Sequence, residues 1–143
     1  IDEKAQLDYI NEDLPTFAFE LGYYKVENYK EGWLFDKNKK TDFYSLATAI
    51  YEDEPNIFTS CKITLVNRKM LLGFLDKKAI SQKVLKGYCD ANIERHGKLK
   101  IKELNTRTEG YLYFSKNNKS EKPINLILKL DFLIEQGIAK RLV

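Results

Sequence analysis

Thr16 to Val26 alternates more strictly than any other stretch of the chain. Phe17, Phe19, Leu21 and Tyr23 fall on one side, and Thr16, Ala18, Glu20, Gly22 and Tyr24 on the other. A period of two is the signature of a strand. The segment therefore predicts an apolar core face and an opposite face that is small, apart from Tyr24, and carries one acid. Ala5 to Ile10 reads as a short strand, and Asn11 to Pro15 as a turn rich in Asn, Asp and Pro. Asn28 to Glu31 reads as a second turn. Gly32 to Phe35 is a short apolar strand, closed by the charged run Asp36 to Lys40. Thr41 to Tyr51 reads as a strand, with a helix as the alternative, and Asp53 to Asn56 breaks it at Pro55.

Cys61 to Val66 alternates as a further strand. Asn67 is placed to cap a short helix over Arg68 to Leu75, and Ser81 to cap a second. In that second helix Val84, Leu85, Tyr88, Cys89 and Ile93 recur at helical spacing, and Gly97 supplies the stop. Lys98 to Leu104 alternates lysine with Leu99 and Ile101, which suits a half-exposed strand. Gly110 to Lys116 and Ile124 to Leu130 predict an antiparallel hairpin around a polar turn. Asp131 then opens a C-terminal helix that ends on Lys140 and Arg141, acid first and base last, as the helix dipole favours. The order predicts an α/β or α+β domain, a mixed β-sheet flanked by helices with a C-terminal hairpin and helix.

At 143 residues, with 43% hydrophobic and 13% aromatic residues, the chain has material for one domain with one core. Only the polar run Ser115 to Lys122 suggests disorder. No stretch approaches the about 20 apolar residues that span a bilayer, and no secretory pattern opens the chain. Cys61 and Cys89 sit in strand-like and helix-like runs and read as buried free thiols. A cytoplasmic location follows as the expectation. The single histidine, His96, lies beside Gly97 at an expected helix end, which leaves a His-based zinc site or a Ser-His-Asp triad poorly supported.

Glu20 is the chemically pointed residue. A carboxylate between Phe19 and Leu21 is costly unless paired, solvated or bound to a cation. Its face neighbours, Ala18 and Gly22, leave room for a ligand or for another backbone. Pairing of the first two strands across the Asn11 to Pro15 turn would set Asp8 beside Glu20. A divalent cation relieves the repulsion of two such carboxylates and accepts their hard oxygens. The alternative is a Glu20–lysine pair and a turn-capping Asp8.

Asp8, then Pro15-Thr16-Phe17-Ala18-Phe19-Glu20-Leu21, then Gly32-Trp33 and Lys40-Thr41-Asp42-Phe43-Tyr44 resemble the core of the PD-(D/E)XK nuclease superfamily over residues 5 to 51. The resemblance implies a restriction-endonuclease-like core that cuts the nucleic-acid backbone with magnesium. Asp8 and Glu20 would hold the metal, which polarises the phosphate and generates the attacking hydroxide. Gly22 stands where the family has its lysine, and only seven residues precede Asp8 where the family usually has a helix and a strand. Two forms stay open, an active nuclease and a catalytically decayed relative, and residues 1–143 are either a single domain lacking the N-terminal helix and strand or one that resembles the family only in part.

The net charge of +3 permits nucleic-acid contact without requiring it. Lys37, Lys39 and Lys40 are the candidate phosphate contacts. Lys98, Lys100 and Lys102, and Lys116, Lys119 and Lys122, form two further clusters. All three also fit solvated edges and turns. Tyr9, Tyr24 and Tyr29 are candidates for base stacking. The competing reading is a non-enzymatic module that binds another protein through its hairpin or aromatic edge.

Overall fold

Alternating segments in the chain become strands, and the computed structural model, which describes residues 1–25, 28–115 and 121–142, arranges them in two sheets. The chain divides into two compact units built from interleaved segments. The first comprises Ile1–Phe17, Thr41–Gly73 and Lys129–Val143, and the second Ala18–Lys40 and Phe74–Leu128.

The first unit holds a four-stranded sheet of β1 (Asp2–Ala5), β4 (Phe43–Glu54), β5 (Ile57–Asn67) and β9 (Ala139–Arg141), in the order β1-β4-β5-β9. β1 runs parallel to β4, with Asp2 opposite Tyr44 and Ala5 opposite Ala47. β4 and β5 form a long antiparallel hairpin whose register shifts between Thr48 and Glu54. Asn56 closes its tip at φ 68, a left-handed conformation that Asn tolerates well. Tyr44, Leu46, Thr64 and Val66 are fully or almost fully buried, so the alternation has put its apolar set inside.

Asn67 caps α1 (Arg68–Lys77) as its sequence position predicts, its Oδ1 accepting the Met70 N–H at 3.0 Å. The C-terminal helix is shorter than expected. α3 (Leu130–Glu135) ends where Gly137 takes φ +74 and the Ile138 N–H donates back to the Leu133 carbonyl at 3.0 Å, a Schellman-type stop. Lys140 and Arg141 are therefore not in a helical last turn. They belong to β9, which pairs with Thr64–Val66 of β5.

The second sheet has the order β3-β2-β8-β7-β6, from β2 (Thr16–Lys25), β3 (Asn28–Glu31), β6 (Gly97–Leu99), β7 (Gly110–Phe114) and β8 (Ile124–Lys129). The predicted hairpin is present: β7 and β8 pair antiparallel from Gly110–Leu128 to Phe114–Ile124. β2 buries Phe17, Phe19 and Leu21, as its pattern predicts; Val26 lies outside the described residues. α2 (Gln82–Ala91) starts on Ser81, whose Oγ accepts the Val84 N–H at 3.1 Å. It buries Leu85 and Cys89.

Two expected segments exchange character. Asn28–Glu31 is a strand, because it pairs with Gly22–Lys25 of β2. Residues 33–35 form a turn, and none of residues 32–35 is in a strand. The edge pairing, which polar residues satisfy as well as apolar ones, outweighs the apolar run. Beyond Leu99 the lysine-rich segment leaves the ladder, so the expected strand to Leu104 stops early. Of the two thiols, Cys89 is buried and Cys61 is exposed, which corrects the expectation that both are buried. Of the run Ser115 to Lys122, residues 116–120 lie outside the described residues. Among the described residues, no helix is long and apolar enough to cross a membrane.

Candidate functional site

Asp8 does not lie on a strand. The chain leaves the β4 ladder after Ala5, where the Gln6 N–H reaches the Ala47 carbonyl at 3.0 Å, and then coils into a short 3-10 helix, Leu7–Tyr9. Leu7 and Tyr9 are exposed, so no apolar burial draws this segment into a sheet. Asp8 is exposed as well. Because β1 pairs with β4 and belongs to the first sheet, the strand pairing that would set Asp8 beside Glu20 does not form. Asp8 belongs to the first unit and Glu20 to the second. Among the described residues, no group of three or more His, Cys, Asp or Glu is placed to hold a metal ion.

Glu20 sits half-buried on β2, on the face predicted for it. The room beside it is filled from within the second unit. The Gly32 N–H donates to the Leu21 carbonyl at 2.8 Å, and the Leu34 N–H to the Glu20 carbonyl at 3.1 Å. Gly32 passes so close that a Cβ there would stand 2.5 Å from the Glu20 carbonyl oxygen and 2.7 Å from its Cγ. On the other side the Tyr29 ring covers Gly22, and a Cβ at Gly22 would collide with it. The Tyr29 hydroxyl donates to the Leu21 carbonyl at 3.2 Å. Small residues on this face therefore admit a backbone and an aromatic ring. A side chain at position 22, where the resemblance expects lysine, would have to displace the Tyr29 ring.

Tyr29 lies beside a second ring, Tyr24, and one lysine, Lys86. Its ring meets Tyr24 edge-on at 5.5 Å, and Lys86 Nζ stands 4.3 Å from its centroid. Burial pushes the Tyr29 hydroxyl well above its ordinary pKa. Burial also raises Tyr24, while the nearby Lys86 charge opposes the shift. The buried Cys89 thiol is pushed up to about 11 for the same reason. These groups stay protonated at neutral pH, so the cluster presents neutral rings beside Lys86, whose Nζ pairs with Asp90 at 3.1 Å.

Lys37, Lys39 and Lys40 are exposed on the turn after Phe35. Asp36 braces that turn, accepting the Asn38 N–H at 2.9 Å on its side chain and the Lys39 N–H at 3.3 Å on its carbonyl. Lys98, Lys100 and Lys102 are exposed too, and Lys98 Nζ lies 4.2 Å from the Tyr111 ring centroid. Lys122 is exposed, whereas Lys116 and Lys119 lie outside the described residues. An open groove of about 680 Å³ runs along α2, lined by Ser81, Gln82, Lys83, Lys86, Gly87 and Asp90. Lys83 and Lys86 are not among the lysines the sequence singles out. Their signal was the polar face of an amphipathic helix, which usually means only solvent.

The units differ sharply in charge. The second carries 17 Lys and Arg against 10 Asp and Glu, a net charge of +7; the first carries 7 against 11, a net charge of −4. Compared with family models, curated proteins and solved structures, the chain finds no match.

Proposed function

We propose that the protein binds nucleic acid through its second unit, by contacts to the phosphate backbone. The carrying observation is the segregation of charge, +7 on one unit and −4 on the other, behind a nearly neutral total. Phosphate contacts by lysine release condensed counterions and need no sequence-specific pocket. Lys37, Lys39 and Lys40 on one turn, and Lys83 and Lys86 along the α2 groove, are the contacts. Tyr24 is a half-exposed ring beside Lys86 on which a base can stack.

Magnesium-dependent cleavage on a restriction-endonuclease-like core is the further part of the reading. It rests on the resemblance around Asp8 and Glu20. Gly32 packs against Glu20 and the Tyr29 ring covers the neighbouring Gly22.

Fluorescence anisotropy with labelled duplex DNA and single-stranded RNA at low salt tests the binding. Dissociation constants of roughly 1–100 µM are expected at physiological salt, the usual range of non-specific contact, and tighter ones at low salt. No binding at low salt overturns it. The same samples with plasmid and magnesium test cleavage: nicking that disappears in Glu20→Ala supports a metal site, and intact plasmid leaves a binding domain.

A further inference from the structure

We infer that the outward face of the second sheet around Tyr111 and Tyr113 of β7 is a stacking platform for unpaired bases, so that the nucleic acid it favours is single-stranded. The inference rests on the nucleic-acid binding proposed above and names its substrate class. Along β7, Gly110, Leu112 and Phe114 are buried, while Tyr111 and Tyr113 stand half-buried on the opposite face. The β7–β8 ladder sets Ile127 opposite Tyr111 and Asn125 opposite Tyr113, both half-buried as well. An outward strand face is ordinarily polar. Here it carries two rings and an isoleucine against one amide.

Cations border the rings. Lys98 of β6 lies opposite Tyr113 in the ladder, and its Nζ stands over the Tyr111 ring, 4.2 Å from the centroid. A cation at that distance rests on the π face of the ring, so this face admits a neighbouring group. Lys98 is exposed, and its ammonium can swing to a phosphate and leave the ring to a base. Arg95 folds back on the same strand, its Nε and Nη2 donating to the Lys98 carbonyl at 3.1 and 2.7 Å. The exposed His96 meets Tyr113 edge-on, with ring centroids 6.1 Å apart. Glu109, the acid next to Gly110, has its Oε1 engaged by the Asn105 N–H at 2.8 Å. Rings bordered by lysine and arginine match a chain of alternating bases and phosphates.

Spacing selects a single strand. Residues two apart on a strand stand about 7 Å from each other, at about 3.4 Å per residue. Successive bases in one strand of a duplex repeat every 3.4 Å or so, stacked on each other and paired. They cannot each lie on one of two rings spaced at twice that distance. The bases of a single strand can splay apart and stack on side chains. A duplex is then held by phosphate contacts alone, as proposed for the lysines above. Every residue named for the platform belongs to the second unit, the basic one.

Fluorescence anisotropy with three labelled probes of equal length is the test: a single-stranded oligonucleotide, its duplex, and an abasic single strand that keeps the phosphates without the bases. The parent is expected to bind the intact single strand about tenfold or more tighter than the abasic one. Tyr111→Leu/Tyr113→Leu keeps apolar bulk on the half-buried face but removes both π faces. It is expected to erase that difference while leaving duplex affinity within about twofold, and Tyr111→Phe/Tyr113→Phe is expected to bind as the parent does. Equal affinity of the parent for the intact and abasic strands overturns the platform and leaves phosphate contact standing. That comparison needs no substitution, so it decides whatever the stability of the leucine variant. A leucine variant that keeps the parent's preference for bases also overturns it. No binding of any probe at low salt removes the nucleic-acid reading itself, and the platform with it.

Discussion

Tyr29 lies over Gly22, and Gly32 lies against Glu20, so this face of β2 is decided by two glycines and one ring. A close approach of this kind tolerates no added methyl group without displacement. Gly22→Ala is expected to cost about 1–3 kcal/mol in urea unfolding, and the penalty is expected to fall toward zero in a Tyr29→Ala background. An equal penalty in both backgrounds would show that the ring is not what the glycine accommodates. The sequence already carried half of this: small residues beside Glu20 announced that something approaches the strand. They did not say what, because a ligand and a backbone need the same space. The thiols allow a second check at this scale. Cys61 is exposed, while burial raises the Cys89 thiol to about 11. A raised thiol pKa keeps the reactive thiolate scarce until the pH nears that value. At neutral pH a disulfide-exchange reagent is expected to titrate one thiol quickly and the second only after denaturation; two fast thiols would contradict the burial of Cys89.

Among the elements, the helices were the most legible, because their start signals are local. Asn67 and Ser81 cap α1 and α2 as their positions predict. Ser81→Ala is expected to cost about 1 kcal/mol. Gly87 lies inside α2 with nothing within 4 Å of the place a Cβ would take. Gly87→Ala is therefore expected to add about 0.5–1 kcal/mol, and opposite shifts in the urea midpoints of these two variants check the account. The strands were less legible where pairing, not side-chain pattern, decides them. Asn28–Glu31 is polar and still a strand, since β2 offers it a ladder. The Asp8 segment shows the converse: its pattern suggests a strand, but β1 ends at Ala5 and its partner is β4. At the C-terminus Gly137 was the informative residue. Its positive φ stops α3 and releases Lys140 and Arg141 into β9.

For the whole molecule, the decisive quantity is the distribution of charge. The net charge of +3 hides it, and so does the order of the chain, because neither unit is a continuous segment. No composition shift or linker marks a boundary between segments that alternate along the sequence. Only once the fold gathers Ala18–Lys40 with Phe74–Leu128 does the excess of lysine become a property of one body. The candidate carboxylates behave in the opposite way. Asp8 and Glu20 look close in sequence, and the fold assigns them to different units. The most direct measurement is the affinity for duplex DNA as a function of salt. The account predicts a linear fall of log K against log salt concentration, with a slope of about 0.9 per phosphate neutralised. Lys37→Ala/Lys39→Ala/Lys40→Ala and Lys83→Ala/Lys86→Ala would each make that slope shallower. Binding that is indifferent to salt, or a slope unchanged in both variants, would contradict it.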